Sequence, residues 1–108
     1  MMAVIYVSHP FSGNESENRL LARKKIAELA KKYSNIVFIN PLDNMMYAEE
    51  AELDYDSILL QCIRLLDVCD GVIMLGDWRN SRGCLEEYKY AVNIDLPVYD
   101  HELKVLNF

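Results

Sequence analysis

The chain alternates between short apolar runs and longer amphipathic stretches. Four runs have the apolar, β-branched character of strands covered on both faces, and they span 3–8 (AVIYVS), 35–40 (NIVFIN), 71–75 (GVIML) and 96–99 (LPVY). Between them, the helical spacing of apolar residues predicts helices at about 15–33, 56–67 and 81–93. The remaining stretch, 42–53, is either a short helix or a mobile loop. In the first helix, the stripe expected to face the sheet consists of Leu20, Leu21, Ile26, Ala27, Leu29 and Ala30.

This regular alternation of strands and helices predicts an α/β fold. We expect one doubly wound, mainly parallel sheet of about four strands, flanked by helices as in flavodoxin-like or Rossmann-like proteins. The 108 residues suffice for one core, so residues 1–108 are expected to form a single domain. Ligands of such sheets bind beyond the carboxyl ends of the strands, where the strand order reverses. The loops at 9–14 and 76–83 are therefore the predicted binding region.

Composition and charge argue against several classes of function. With 11 basic and 17 acidic residues the net charge is −6, which disfavours a nucleic-acid polymer as partner but still allows a small anion at a helix N-terminus. The spacing of the three cysteines and two histidines, and the lack of G-x-G-x-x-G, predict no disulfide framework, no metal and no cofactor. No apolar run reaches membrane-spanning length, and MMAVIYVS is too short for a signal peptide, so we expect a cytoplasmic protein without a membrane partner.

Two adjacent glutamates, Glu86 and Glu87, differ in their position on the third predicted helix. With Ser81 as its N-cap, this helix is expected to bury three residues at i, i+4 and i+7: Cys84, Tyr88 and Ala91. Glu87 falls on the same stripe, whereas Glu86 points to the wetter side. A carboxylate on the inward stripe is costly unless it is hydrogen-bonded, paired or used. Glu87 is therefore the candidate functional residue; the alternative is a helix edge that lets its carboxylate reach solvent.

Three segments carry motifs that occur together in a known family. They are YVSHPFSG followed by Asn18, then VFINP, then CDGVIMLGDW-x-x-S-x-G-C-x-x-E-x-x-x-A. The most specific piece is S-x-G-x-x-x-E, formed by Ser81, Gly83 and Glu87 after a strand that ends in Gly-Asp-Trp. Together these motifs, from about residue 5 to residue 99, resemble the nucleoside 2-deoxyribosyltransferase-like superfamily, and within it the small, poorly characterised branch related to 2′-deoxynucleoside 5′-phosphate N-hydrolases.

The resemblance implies cleavage or transfer of the N-glycosidic bond of a 2′-deoxynucleoside 5′-monophosphate. Glu87 would be the nucleophile that attacks C1′ and forms a covalent glycosyl-glutamate, which water or a second base resolves, as in a retaining glycosidase. This chain has Ser81 where transferases of free nucleosides carry aspartate, which favours a phosphate because a hydroxyl can donate to it. The implied partners are a small nucleotide or nucleoside and a second subunit, in a homodimer or higher homo-oligomer. Asn107 lies in the late segment available to complete a shared site.

The candidate substrate-binding residues surround Glu87 in the motifs: Ser8, His9, Phe11, Ser12, Gly13, Asn18, Trp78, Ser81 and Gly83. The resemblance implies that Phe11 packs against the base. Trp78 is a second stacking candidate or a hydrophobic plug. His9 is a phosphate ligand, a proton donor or an ordinary loop residue. Arg79 and Arg82 either add positive charge for the phosphate or are plain surface residues.

One departure from the family pattern puts catalysis in question. The aspartate that helps to protonate the leaving base in relatives is replaced by Cys62, and a neutral thiol is a poor general acid. Asp77, at the end of the third strand, is the catalytic candidate for that role, and Asp56 is a further one. Tyr6, within the first strand, could face the site or the core and is assigned to the core. The alternative function is a non-catalytic nucleotide-binding module that retains the phosphate cradle.

Overall fold

The computed structural model describes residues 2–106 and contains one four-stranded sheet in which every strand is parallel to its neighbours. The strands are β1 (Ala3–Ser8), β2 (Ile36–Ile39), β3 (Gly71–Met74) and β4 (Val98–Tyr99). The helices are α1 (Glu15–Lys32), α2 (Pro41–Asn44), α3 (Met46–Glu50), α4 (Tyr55–Asp67) and α5 (Arg82–Asn93). The predicted α/β fold is confirmed, and most of the ambiguous stretch 42–53 forms the short helices α2 and α3.

In the strand order β2-β1-β3-β4, β1 lies between β2 and β3. The strand order reverses between β1 and β3, because the chain adds β2 on one side of β1 and β3 on the other. From β1 the chain runs through α1 to one neighbour, β2, and then crosses through α4 to the other neighbour, β3. β1 and β3 end side by side, with Ser8 opposite Met74 and the Leu75 N–H donating to the Ser8 carbonyl at 2.9 Å. The loops that leave these two strands diverge, which opens a crevice at the carboxyl edge of the sheet.

The sheet separates two apolar layers because successive residues of a strand point to opposite faces. On the α1 face, Ile5 and Val7 of β1 pack in one cluster with Leu29 of α1. On the opposite side, the α4–α5 face, Tyr6 packs in a second cluster with residues of both helices, including Leu66. One strand thus contributes alternate residues to two separate cores.

The buried side of α1 differs from the predicted stripe. Leu20 and Leu21 are 65% and 48% exposed, and Ala27 and Ala30 are exposed as well, so this part of the prediction is wrong. The residues that are at least partly buried beneath α1 are spaced i, i+4, i+7 and i+11: Ala22, Ile26, Leu29 and Tyr33. At about 100° per residue, Leu20 lies about 160° from Ala22 around the helix axis, so the two cannot share one face.

Two helices begin at capping residues that the sequence indicates. The Asp54 carboxylate accepts the Ser57 N–H at 2.7 Å at the start of α4. At the start of α5, the Ser81 hydroxyl accepts the Cys84 N–H at 3.3 Å, which confirms Ser81 as an N-cap. Between β3 and α5, the residues Trp78–Asn80 form a single 3₁₀ turn. The N-terminus of α5 is therefore held close to the carboxyl ends of β1 and β3.

The chain after β4 folds back on that strand. Val105 forms an antiparallel bridge with Tyr99, and the Leu106 N–H donates to the Val98 carbonyl at 2.8 Å. The turn between them, residues 100–104, is called the tail turn below. Asn107, the tail residue considered for a shared site, lies outside the described residues. Within residues 2–106, no helix has the length and apolar character needed to cross a membrane.

Candidate functional site

The two adjacent glutamates of α5 have opposite environments. Glu87 is buried, with 6% of its surface exposed, while Glu86 is exposed, so the predicted helical phase is confirmed. The Tyr6 hydroxyl donates to Oε2 of Glu87, and the Ser8 hydroxyl donates to Oε1 at 2.8 Å. Tyr6 and Ser8 are two residues apart, so the pleat of β1 turns both toward α5. Each oxygen of the buried carboxyl thus has its own hydrogen-bond donor.

Burial determines the protonation of this cluster. It raises the pKa of the Glu87 carboxyl to about 7, and the hydrogen bonds from Tyr6 and Ser8 oppose part of that rise. Burial, followed by the negative charge of Glu87, raises the pKa of the Tyr6 phenol well above its ordinary value. Near neutral pH, Glu87 is therefore divided between its charged and neutral forms, whereas Tyr6 stays protonated and donates. Such a titration in a cavity wall is typical of groups that take part in chemistry.

A cavity of about 300 Å³, called the Glu87 cavity, opens at the carboxyl edge of the sheet with Glu87 in its wall. Its volume lies at the lower end of the range found for small-molecule sites. The other lining residues are His9, Phe11 and Ser12 of the first loop, Pro41, Leu42, Met45 and Glu49 of α2 and α3, Tyr55, Ile58, Leu59 and Cys62 of α4, and Ser81, Gly83 and Cys84 at the start of α5. Most of these side chains are apolar, so the few polar groups would fix the orientation of a ligand.

Arg19 of α1 ties the wall of the Glu87 cavity together. Its Nη2 donates to both carboxylate oxygens of Glu49, at 2.8 and 3.0 Å, and its guanidinium carbon lies 4.9 Å from the centre of the Phe11 ring. The neighbouring Asn18 amide donates to the Phe11 carbonyl at 2.9 Å. These contacts join α1, α3 and the first loop, and they hold Phe11 at the cavity wall.

A second cavity of about 420 Å³, the α5 cavity, adjoins the first and shares four lining residues with it: Ser12, Tyr55, Ser81 and Gly83. Arg82 lines only the α5 cavity, and its guanidinium carbon lies 4.9 Å from the centre of the Tyr55 ring. Gly83 has a steric role at the junction, because a Cβ at this position would lie 3.2 Å from the Tyr55 hydroxyl. The two cavities therefore meet around the first turn of α5.

The candidates for a general acid differ in the cavity that they line and in their exposure. Cys62 lines the Glu87 cavity, and burial, followed by the charge of Glu87, raises the pKa of its thiol to about 11. Asp77 lines the α5 cavity instead, where it accepts hydrogen bonds of 2.9 and 3.0 Å from the Asn80 amide. Asp56 is exposed. Among the described residues, no three His, Cys, Asp or Glu side chains gather as a metal ion would require.

Residues 3–100 match one family over nearly the whole chain, and its description is Domain of unknown function (DUF4406). The chain belongs to the DUF4406 family. DUF4406 is grouped in the nucleoside 2-deoxyribosyltransferase-like clan, in agreement with the resemblance carried by the sequence motifs. No curated protein matches the chain.

In this DUF4406 domain, the structure gathers most of the predicted site residues. Those that line the Glu87 cavity or bond to Glu87 are Ser8, His9, Phe11, Ser12, Ser81 and Gly83. Gly13, Asn18 and Trp78 line neither the Glu87 cavity nor the α5 cavity. Trp78 is buried in the core, where its ring centroid lies 5.2 Å from that of Tyr88 and 4.4 Å from the Arg79 guanidinium. This environment is that of a hydrophobic plug.

Four residues with polar side chains at the DUF4406 site are absent from the predicted set: Tyr6, Arg19, Glu49 and Tyr55. Tyr6 is in the core, as expected, but its hydroxyl also bonds to Glu87. The sequence does contain a signal for this role of Tyr6. Tyr6 and Ser8 occupy alternate positions of an otherwise apolar strand, so their hydroxyl groups share one face of the sheet. Arg19 and Glu49 meet across 30 residues, and no local pattern indicates such a pair.

Proposed function

We propose that this protein cleaves or transfers the N-glycosidic bond of 2′-deoxynucleoside 5′-monophosphates, with Glu87 as the nucleophile. The observation that carries the proposal is the environment of Glu87, a buried carboxyl held by two hydroxyl donors in the wall of a cavity. Within residues 2–106 no ion pair compensates this carboxyl, and its two hydrogen bonds offset only part of the rise in pKa that burial causes, as expected of a group that takes part in chemistry. The clan to which DUF4406 belongs supports the same chemistry.

The proposed reaction consists of two displacements at C1′ of the sugar. In the first, ionised Glu87 attacks C1′, the bond from C1′ to the base nitrogen breaks with its electron pair going to the base, and a glycosyl ester forms. In the second, water or another base attacks C1′, loses a proton, and releases Glu87 as a carboxylate. Tyr6 and Ser8 support this chemistry because they hold one carboxylate oxygen each and limit the rotation of the carboxyl group.

The substrate phosphate is proposed to bind at the first turn of α5, where the two cavities meet. Ser12 and Ser81 line both cavities there. The Ser81 hydroxyl accepts the Cys84 N–H, so its own hydrogen is free to be donated to a phosphate oxygen. Arg82 lines the α5 cavity and adds a positive charge. Phe11, held by its contacts with α1, is the candidate to stack on the base.

A second candidate function is nucleotide binding without turnover, and Cys62 is the observation that favours it. A thiol with a pKa of about 11 is a weak acid for protonating a leaving base. The other carboxyl group that lines the Glu87 cavity, that of Glu49, is paired with Arg19 at 2.8 Å. Asp77 remains the proposed acid for the catalytic function, acting from the α5 cavity.

The proposed setting is the cytoplasm, with a small nucleotide or nucleoside as the ligand and a homodimer as the active form. The net charge of −6 supports a small molecule rather than a nucleic-acid polymer. Leu20, which α1 leaves exposed, supplies apolar surface that a second subunit would cover.

Base release from the four 2′-deoxynucleoside 5′-monophosphates, followed by chromatography with and without a second free base, tests the proposal. We expect at least one substrate to lose its base, and Glu87→Gln to lower the rate by about a thousandfold or more because the nucleophile is lost. Glu86→Gln, the matched change on the exposed side of α5, should retain the wild-type rate. A requirement for the added base would identify a transferase. Full activity of Glu87→Gln would refute the assignment of the nucleophile.

Cys62→Asp separates the catalytic function from the binding function. A large gain in base release would mean that the wild-type protein lacks its acid, whereas an unchanged rate would mean that another residue supplies the proton. If all four nucleotides stay intact while one of them raises the melting temperature of the wild type, the binding function is supported and the catalytic one is rejected.

A further inference from the structure

A third cavity, of about 410 Å³, opens on the α1 face of the sheet and is called the α1-face cavity. It lies between α1 and the tail turn, and its lining includes Leu75 and Gly76 at the end of β3. On this face one long helix covers the sheet, whereas two cover the opposite face, so α1 and the tail turn leave a space between them. The α1-face cavity lies outside the site proposed for the nucleotide and shares only His9 with the Glu87 cavity.

The charged groups of the α1-face cavity are mostly basic. Lys24 and Lys25 come from α1 and His101 from the tail turn, and Glu28 is the one carboxylate in the lining. Lys25 is 3.8 Å from Glu28, a long and partly exposed ion pair that contributes little, and no carboxylate within residues 2–106 pairs with Lys24. The whole chain has a net charge of −6, so the charge of this cavity is opposite in sign to that of the protein as a whole.

His9 of the first loop also lines the α1-face cavity. Its Nδ1 lies 2.7 Å from the Pro10 carbonyl oxygen, which can only accept, so Nδ1 carries a hydrogen and Nε2 is the remaining nitrogen. Gly76 makes room for this ring, because a Cβ at that position would lie 3.3 Å from Nε2. When the imidazole is protonated, Nε2 becomes a second N–H donor and the ring a second source of positive charge.

We propose that the α1-face cavity binds a small oxyanion, the phosphate or carboxylate group of a small molecule, between Lys24, Lys25, His101 and His9. The two lysines supply positive charge, and the two histidines supply N–H donors when their imidazoles are protonated. Leu75 at the floor of the cavity suits an apolar body attached to the anionic group. Because His9 also lines the Glu87 cavity, an anion at this face contacts a residue that faces both sites.

Titration of the full chain with inorganic phosphate, against chloride at matched ionic strength, tests this site by NMR of the histidine side chains. We expect the resonances of His101 to move with phosphate and not with chloride. Lys24→Ala with Lys25→Ala should weaken that binding by about tenfold. The matched control is Lys31→Ala with Lys32→Ala, which removes the same charge farther along α1 and should change the affinity by less than about twofold.

Two outcomes would overturn the proposal. One is a His101 resonance that does not respond to phosphate. The other is an equal loss of affinity in both pairs of lysine variants, which would mean nonspecific attraction to α1. Phosphate bound at the first turn of α5 does not confuse the result, since His101 does not line the Glu87 or α5 cavities. Absence of base release would leave this test unaffected.

Discussion

The two faces of the sheet are built from the same strands and differ in their chemistry. On the α1 face, Ile5 and Val7 of β1 pack in a wholly apolar cluster. On the α4–α5 face, the alternate residues Tyr6 and Ser8 donate hydrogen bonds to the buried carboxyl of Glu87. The pleat of a single strand therefore separates residues that stabilise the fold from residues that prepare a site. We therefore expect a mutation on one face to have little effect on the other.

The largest effect is expected on the apolar face. Ile73→Ala removes a fully buried side chain from that cluster and should lower the free energy of unfolding by about 2–5 kcal/mol. Urea denaturation at pH 5 and pH 8.5 should give the same loss, because the substitution touches no titrating group. The matched control Ile94→Ala, at a residue 37% exposed, should cost less than about 1 kcal/mol. A loss that changes with pH would mean that the two faces are coupled.

The next effect belongs to the polar face and depends on pH. The pKa of Glu87 is about 7 in the folded protein, above its ordinary value near 4.5, so the folded state holds a proton that the unfolded chain has released. The stability that this proton contributes is fully present below about pH 4 and is lost as the pH rises through about 7. The rise in the pKa of Glu87 from 4.5 to about 7 corresponds to about 3 kcal/mol in the free energy of unfolding.

The free energy of unfolding, measured from pH 4 to 9 in the wild type and in two variants, checks this effect. Glu87→Gln should remove the loss of about 3 kcal/mol, because a neutral amide has no proton to release. One of the two hydroxyls can rotate to accept from the amide NH2 group while the other still donates to the amide oxygen. Glu86→Gln should follow the wild-type curve. If Glu87→Gln keeps the pH dependence of the wild type, Glu87 does not titrate near pH 7.

The smallest effect comes from a single hydroxyl. Tyr6→Phe removes the donor to Oε2 of Glu87 and should raise the pKa of that carboxyl further, by about one to two units, because a hydrogen bond to a charged group contributes about 1.5–3 kcal/mol. The ¹³C shift of the Glu87 carboxyl in labelled protein reports the midpoint directly. Tyr90→Phe, which removes a hydroxyl bonded to Asp67 at 2.8 Å outside the site, should leave it unchanged. If the pKa of Glu87 is unchanged in Tyr6→Phe, the Tyr6 hydroxyl does not influence the protonation of Glu87.

The parts of this molecule that the sequence predicts are those that depend on local period and contiguous motifs. The strands lie close to their predicted bounds because short apolar runs between turn residues have few other solutions. The phase of α5 separates Glu87 from Glu86 because Ser81 marks where the helix begins. The loop 9–14 is the predicted binding region because it directly follows a strand at the switch point, and its residues His9 and Phe11 line the Glu87 cavity.

The parts that the sequence does not predict depend on contacts between distant segments. α1 carries apolar residues on several sides, so periodicity alone does not select Ala22 over Leu20 as the residue that faces the sheet. The pair of Arg19 and Glu49 joins α1 to a short helix whose position is set by tertiary packing. The contact between Tyr6 and Glu87 depends on which helix covers which face of the sheet, and the sequence alone does not determine this.

The central position of β1 has a consequence for biosynthesis. This strand leaves the ribosome first, yet both neighbours that cover its edges are made later, and Glu87 follows Tyr6 by 81 residues. A nascent chain therefore carries an apolar strand with at least one open edge until β3 has been translated. The carboxyl and its two hydroxyl donors come together only when α5 docks, so a partly made chain has no complete site. Ligand binding at Glu87 would consequently select finished molecules and protect them from unfolding.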